Sequence, residues 1–341
     1  MRLLIITQVV DAEDPALGFF VRWIQACAEH FERIEVICLK EGVHDFSSHI
    51  QIHSLGKEKG LFRLHRALIF FMHLVRLRNQ YDAVFVHMNQ EYVLLAGWYW
   101  YLRNKPVYLW RNHYAGSWMT DLASIFCKKI FCTSKYSYTA KYKKTVFMPV
   151  GVDIDRFQPD THTTRKPNSV LFLARMSPSK RAEILLEALL LLSRAGTTFT
   201  VDFVGSPAER DTAYFEAFKE KSKLLGEKVT FSPAIPNTAA VDIYKTHELF
   251  VNTSPSGMLD KTIFEAIASG CIVLASSKDF AQIAGFSYYF ETAPELAEHI
   301  KRIFNLDNET RTASAKTLYT KVVEAHSLPR LAKRLMEEMH T

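Results

Sequence analysis

The 341-residue chain has no apolar run of ~18 residues free of charge, so no helix is expected to span a bilayer. No Gly-x-Gly-x-x-Gly follows the first strand pattern, which argues against a dinucleotide oxidoreductase. Cysteine is scarce. Cys27, Cys38, Cys127, Cys132 and Cys271 make an odd count without paired metal spacing, as reduced thiols of a cytoplasmic protein would. Internal repeats and low-complexity tracts are absent. The start, MRLLIITQVV, lacks the length and cleavage site of a signal peptide and reads as a first strand. Charge is nearly balanced, with 42 basic and 36 acidic residues. The net +6 favours an anionic substrate or membrane surface but is too diffuse to demand nucleic acid.

What is present is an ordinary globular composition, 48% hydrophobic and 23% charged. The length suits two domains of about 150 residues each. Strand and helix patterns alternate twice. RLLIIT, IEVICLK, AVFVHM, VYLW, KIFCTS and VFMP read as strands, separated by helical patterns at 17–31, 60–78, 91–103 and 118–127. SVLFLAR, TFTVDFVG, VTFSP, LFVNTS and CIVLAS follow, with helices near 181–195, 212–225, 238–246 and 261–268. Such alternation implies parallel sheets covered on both faces. Between the halves, 149–168 is rich in Pro, Thr and charge and reads as a linker. A last helix, 329–340, follows the second set.

The densest signal is 254–277, SPSGMLDKTIFEAIASGCIVLASS. Asp260 stands where its side chain can cap a helix. Ile263, Ala266 and Ile267 share one face of that helix, Glu265 lies opposite, and Gly270 ends it. Loops feeding helix N-termini in such sheets suit anionic ligands, since unpaired N–H groups point outward there. Upstream, Arg175 and Lys180 lie in SVLFLARMSPSK at a strand end and helix start.

These residues resemble the signature of family 4 retaining glycosyltransferases (glycosyl transferases group 1). Pro255-Ser256 match a strand end, Glu265 the second of two spaced glutamates, and Arg175 and Lys180 a basic pair. VGVDIDRF resembles the family's domain linker. The position of the first glutamate is Gly257, and Met258-Leu259-Asp260 replace a glycine-rich turn. The resemblance implies the GT-B fold: two Rossmann-like domains facing across a cleft, with the C-terminal helix returning to the first domain. The expected domains are 1–157, with 327–341 packing back, and 168–326.

The implied activity is transfer of a hexose-type sugar from a UDP- or GDP-linked donor to a hydroxyl of a glycan or lipid-linked acceptor. Anomeric configuration would be retained, without metal or cofactor. That chemistry fits the lack of paired glycosidase-type carboxylates. Arg175 and Lys180 would neutralise the leaving diphosphate, as Mg²⁺ does elsewhere. Glu265 would hold the ribose, and His113, after VYLW, would orient the donor sugar. Gly18 and Gly205 would let backbone approach the donor. Gly257, Met258, Leu259, Asp260 and Lys261 would surround it, with Asp260 able to replace the missing glutamate. His87 and Asn89 stand at a strand end suited to acceptor contact. Two alternatives stay open: a non-catalytic GT-B protein binding a sugar nucleotide or partner, and a peripheral membrane protein using 60–78 as a basic amphipathic helix. The plain reading of 60–78 is a crossover helix whose charged residues face water. The expected location is cytoplasmic, at the inner face of the membrane where contact occurs.

Overall fold

Two parallel sheets carry the chain. The computed structural model describes residues 1–159 and 163–341. Residues 160–162, inside the linker read at 149–168, lie outside the described residues.

The first unit comprises Met1–Gly151, Pro236–Thr238 and Leu328–Thr341. Its elements run β1 (Arg2–Val10), α1 (Phe19–Ala28), β2 (Arg33–Glu41), β3 (Ile50–Ser54), α2 (Arg63–Leu77), β4 (Ala83–His87), α3 (Gln90–Leu102), β5 (Val107–Trp110), α4 (Trp118–Ile125), β6 (Lys129–Cys132) and β7 (Thr145–Phe147). The strands pair in parallel in the order β3-β2-β1-β4-β5-β6-β7. Runs such as AVFVH and VYLW are buried throughout, because both faces of a parallel sheet are covered. Phe20, Trp23 and Ile24 of α1 pack on one face, and Phe70, Leu74, Val93, Ala96, Trp100 and Ala123 of α2, α3 and α4 on the other.

The second unit contains β8 (Lys166–Leu173), α5 (Ala182–Arg194), β9 (Thr200–Val204), α6 (Thr212–Ser222), β10 (Val229–Ser232), α7 (Ala240–Thr246), β11 (His247–Asn252), α8 (Lys261–Ala268), β12 (Ile272–Ala275), α9 (Lys278–Ala284), α10 (Ala293–Phe304) and α11 (Asn308–His326). Its parallel sheet has the order β10-β9-β8-β11-β12. The last helix, α12 (Leu328–His340), returns to the first unit, as expected. Leu331, Ala332, Leu335 and Met339 are buried there. Each large side chain so buried contributes about 1.5–3 kcal/mol. The Tyr108 hydroxyl donates to the Met339 carbonyl at 2.9 Å, and the Lys129 ammonium meets the Glu338 carboxylate at 2.8 Å.

Four elements were absent from the sequence reading: β3, α9, α10 and α11. β3 reads IQIHS, an edge strand with polar residues at every second position. α11 buries only Leu318 and Val322 of its nineteen residues, so its apolar period is faint. The pattern at 60–78 does form the crossover helix α2, with Phe70, Leu74 and Leu77 buried. Its outward side differs from expectation, since Leu64, Leu68, Met72 and Val75 are exposed there beside the charged residues.

Candidate functional site

In an open parallel sheet, ligands bind beyond the C-terminal strand ends where the strand order reverses. In the second unit that point lies between β8 and β11. The segments leaving those strands carry Arg175 to Lys180 and Thr253 to Asp260. The structure joins them. The Lys180 ammonium contacts Asp260 Oδ2 at 2.5 Å and Ser254 Oγ at 3.1 Å. The Asn252 amide (3.1 Å) and the Ser254 hydroxyl (2.5 Å) donate to the same Asp260 oxygen. Arg181 braces the loop by donating to the Thr253 carbonyl at 2.8 Å and Ser276 Oγ at 2.6 Å. Arg181 adopts the left-handed conformation (φ 50°) as it opens α5.

Asp260 occupies the N-cap position of α8 but makes no side-chain cap bond. The capping expectation is thereby corrected: the carboxylate turns to Lys180, a charged donor, instead of the neutral helix amides. Burial alone would raise its pKa. The Lys180 charge, with hydrogen bonds from Lys180, Ser254 and Asn252, outweighs that and holds the carboxyl below its ordinary value. Within the loop, Gly257 (φ 93°) and Leu259 (φ 37°) both have positive φ. The Gly257 amide donates to Asp279 Oδ2 at 3.0 Å. A left-handed leucine costs about 1–2 kcal/mol and is typical of loops held for a ligand.

Arg175 is exposed and makes no side-chain hydrogen bond or ion pair among the described residues. Glu265 departs from its expected open position, with 4% exposure. α11 covers α8 from outside, bringing Phe264 against His326 at 4.7 Å between ring centres, so the side facing away from the sheet is also enclosed. The Tyr244 hydroxyl donates to Glu265 Oε2 at 3.4 Å. Lys261, half-buried one turn earlier, has its pKa lowered by burial, against the pull of Glu265 and Asp153. Burial, with the Glu265 charge next, pushes the Tyr244 phenol well above its usual range. Gly205 (φ 150°) has a local explanation, since a Cβ there would stand 1.9 Å from the Ala174 carbonyl oxygen.

In the first unit, a cavity of about 370 Å³ is lined by Met88, Arg111, Asn112, His113, Ala115, Gly116 and Ser117. It lies beyond the C-terminal ends of β4 and β5. The Ala115 amide donates to His113 Nδ1 at 2.9 Å. Tyr114 stacks on the imidazole at 4.5 Å. Arg111 was missed by the sequence reading, although it stands two residues before His113. Its Nη2 donates to the Ala115 carbonyl at 3.0 Å, and its buried Nε has no partner among the described residues. Burial lowers its pKa, with Glu91 the main opposing charge.

Gly18 begins α1 with φ −55°, and a Cβ there would stand 2.7 Å from the Ala12 and Asp14 carbonyl oxygens, so its own loop demands glycine. The acceptor contact expected of His87 is corrected. His87 is 1% exposed and stacked on Phe20 at 3.9 Å, because β4 is a central strand covered by α1. Asn89 accepts from the Gln8 amide across the β1–β4 junction.

Comparison with known structures places both units together in one fold class. The Anabaena protein HepE, in a structure with UDP and glucose, aligns over 100% of both chains at TM-score 0.78 and 16% identity. Sucrose-phosphate synthase from Thermosynechococcus elongatus aligns over 100% of this chain and 98% of its own at 0.75 and 16%. The chain has the GT-B fold. Within it, residues 167–305 match the family model for glycosyl transferases group 1, less than half of the chain. Mannosylfructose-phosphate synthase from Agrobacterium fabrum is 30% identical over 147 residues, 39% of this chain and 32% of that protein. D-inositol 3-phosphate glycosyltransferase from Nocardia farcinica is 29% identical over 151 residues, 41% and 34% of the two chains. The GT-B chain thus aligns with about a third of the length of the curated relatives it matches. The matched span contains Arg175, Lys180, the Asp260 loop and Glu265 of the GT-B second unit.

Proposed function

We propose that the protein is a glycosyltransferase that moves a hexose-type sugar from a UDP- or GDP-linked donor to a hydroxyl of a glycan or lipid-linked acceptor. The observation that carries this reading is the Lys180–Asp260 link. It joins the two loops at the strand-order reversal of the unit that matches glycosyl transferases group 1. A diphosphate leaving group gathers negative charge as the glycosidic bond breaks. Arg175, open to solvent, and Lys180, held in place by Asp260, supply two cations at one sheet edge. The positive end of α8, opened by Met258 to Lys261, adds backbone donors.

In this reading the leaving diphosphate takes the acceptor proton on the face it departs from, which retains configuration, and side-chain cations serve in place of a metal. Glu265 is assigned to the ribose and must exchange its Tyr244 contact for the diol. His113 is assigned to a sugar hydroxyl. Gly18, Gly205 and Gly257 are assigned to close backbone approach. The acceptor is assigned to the first-unit cavity, where Arg111 and Asn112 supply donors. A cytoplasmic location fits five buried cysteines that form no disulfide.

Thermal-shift measurement with UDP- and GDP-sugars tests donor binding. A ligand at 100 times its Kd should stabilise by about 2.7 kcal/mol. Release of nucleoside diphosphate then tests transfer. No shift with any nucleotide sugar would sink the reading. A second reading, a binder without transfer, draws on Gly257 at the position of the first glutamate. Binding with no donor hydrolysis and no acceptor modification would select it.

A further inference from the structure

Three neighbouring helices of the first unit are apolar on the side away from the sheet. Inward, α2 buries Phe70, Leu74 and Leu77. Outward, Leu64, Leu68, Met72 and Val75 are 73%, 62%, 57% and 52% exposed, a second stripe at helical spacing. α3 continues it with Trp98, Tyr101 and Leu102, and α4 with Trp118, Leu122 and Ile125, each at least 41% exposed. The three helices lie side by side. Phe70 of α2 packs on Tyr92 of α3 at 4.9 Å, and a Cβ at Gly97 of α3 would stand 2.6 Å from Phe126 beside α4. Monomeric soluble proteins rarely leave so many large apolar side chains together in water.

Charge identifies the partner. The segments 1–151 and 328–341 hold 22 basic and 14 acidic residues, whereas the rest of the chain holds 20 and 22. No acidic residue occurs between Glu58 and Asp82. Exposed Arg63, Arg76, Arg78, Arg103 and Lys128 stand among or at the ends of the three helices. Asp121, on α4, is paired with Lys141 at 2.7 Å. A second copy would bring the same positive surface face to face with this one. Exposed Trp and Tyr beside Leu and Ile, with arginines at the margins, is the composition of a membrane interface. Among the described residues no helix is long and apolar enough to cross a membrane.

We propose that the outer face of α2, α3 and α4 docks on a bilayer containing anionic lipid, lying in the interface without spanning it. The cavity borders this face, since Ser117 lines it and Trp118 is in the face. On the transferase reading, a lipid-linked acceptor would reach the cavity from the membrane.

The test is flotation of the full chain with phosphatidylcholine vesicles, with and without 30 mol% phosphatidylglycerol (about a third of the lipid, enough to set a clear surface potential). The protein should float with the anionic vesicles, at least about tenfold more than with phosphatidylcholine alone, and less at high salt. Leu68→Ser with Met72→Ser should cut flotation about tenfold, with circular dichroism and Tm unchanged because both side chains are exposed. Arg76→Ser with Arg78→Ser should weaken binding to anionic vesicles only. No flotation with anionic vesicles overturns the proposal, and so does flotation undiminished in the apolar variant. Equal binding to both vesicles overturns the anionic partner. A wild-type dimer lost in the apolar variant, without vesicle binding, would assign the face to a second copy. The assay needs neither donor nor acceptor, so its outcome is separate from that of the transferase reading.

Discussion

Replacing Lys180 by alanine should weaken the fold in a way that depends on pH. The side chains of Lys180 and Asp260 are 17% and 18% exposed, and among the described residues the Asp260 oxygen that meets Lys180 takes two other donors, both neutral. Breaking a buried pair by removing one partner costs about 3–5 kcal/mol. Here residual exposure and the neutral donors favour the lower end, about 3 kcal/mol. For a unit of this size each kcal/mol shifts Tm by roughly 2–4 °C, so a fall of roughly 6–12 °C is expected at pH 7. In the wild type the Asp260 pKa is depressed, so its contribution is present above the unfolded-chain value of ~3.9 and fades as pH falls through the lower folded value. In Lys180→Ala burial prevails and the carboxyl pKa rises. The penalty is then small near pH 4, where Asp260 is largely protonated, and grows toward pH 7. Scanning calorimetry from pH 4 to 8 on wild type, Lys180→Ala, Asp260→Asn and the double variant measures this directly. The double variant should recover part of the loss, since no uncompensated charge remains. A Tm gap independent of pH, or a further loss in the double variant, would refute the reasoning.

Arg175→Ala removes a cation with no partner among the described residues, so stability should stay within about 0.5 kcal/mol while the transfer rate falls about 10²–10³-fold; unchanged turnover would remove Arg175 from the diphosphate site. Transfer should persist in excess EDTA, and abolition with rescue by Mg²⁺ or Mn²⁺ would contradict the assignment of the metal's task to side chains. Glu265→Gln should weaken nucleoside diphosphate binding by roughly 1–3 kcal/mol, and more for the ribonucleotide than for its 2′-deoxy form. Calorimetry on both ligands checks this, equal losses meaning that Glu265 does not read the ribose.

Much of the fold was legible because strands buried on both faces become continuous apolar runs. AVFVHM, VYLW and CIVLAS stood out for that reason and became β4, β5 and β12. α8 was read at its observed bounds, since Asp260 and Gly270 bracket a short periodic segment. α10 also left a signal in the sequence. Thr292 and Glu295 form a capping box with Pro294 in the first turn, and Leu296, Ile300 and Ile303 repeat at helical spacing. β3 left only a short alternation, Ile50 and Ile52 against Gln51 and His53, because an edge strand with one open face need not be apolar throughout.

The sequence by itself determined the two parallel sheets and the second-unit segments on which the candidate site lies, since each is written in local periodicity and spacing; the return of the last helix was implied by the family resemblance alone. Tertiary structure alone decided how those segments are used. Lys180 and Asp260 are 80 residues apart, and only the adjacency of β8 and β11 makes them an ion pair. Glu265 looks open on a helical wheel, and only tertiary packing, which brings Tyr244 of α7 against its carboxylate, shows it enclosed. Arg111 is one arginine among many until β5 ends at the cavity. The apolar residues of α2, α3 and α4 could all have been core. The sheet has room for one side of each helix, and what remained faces outward.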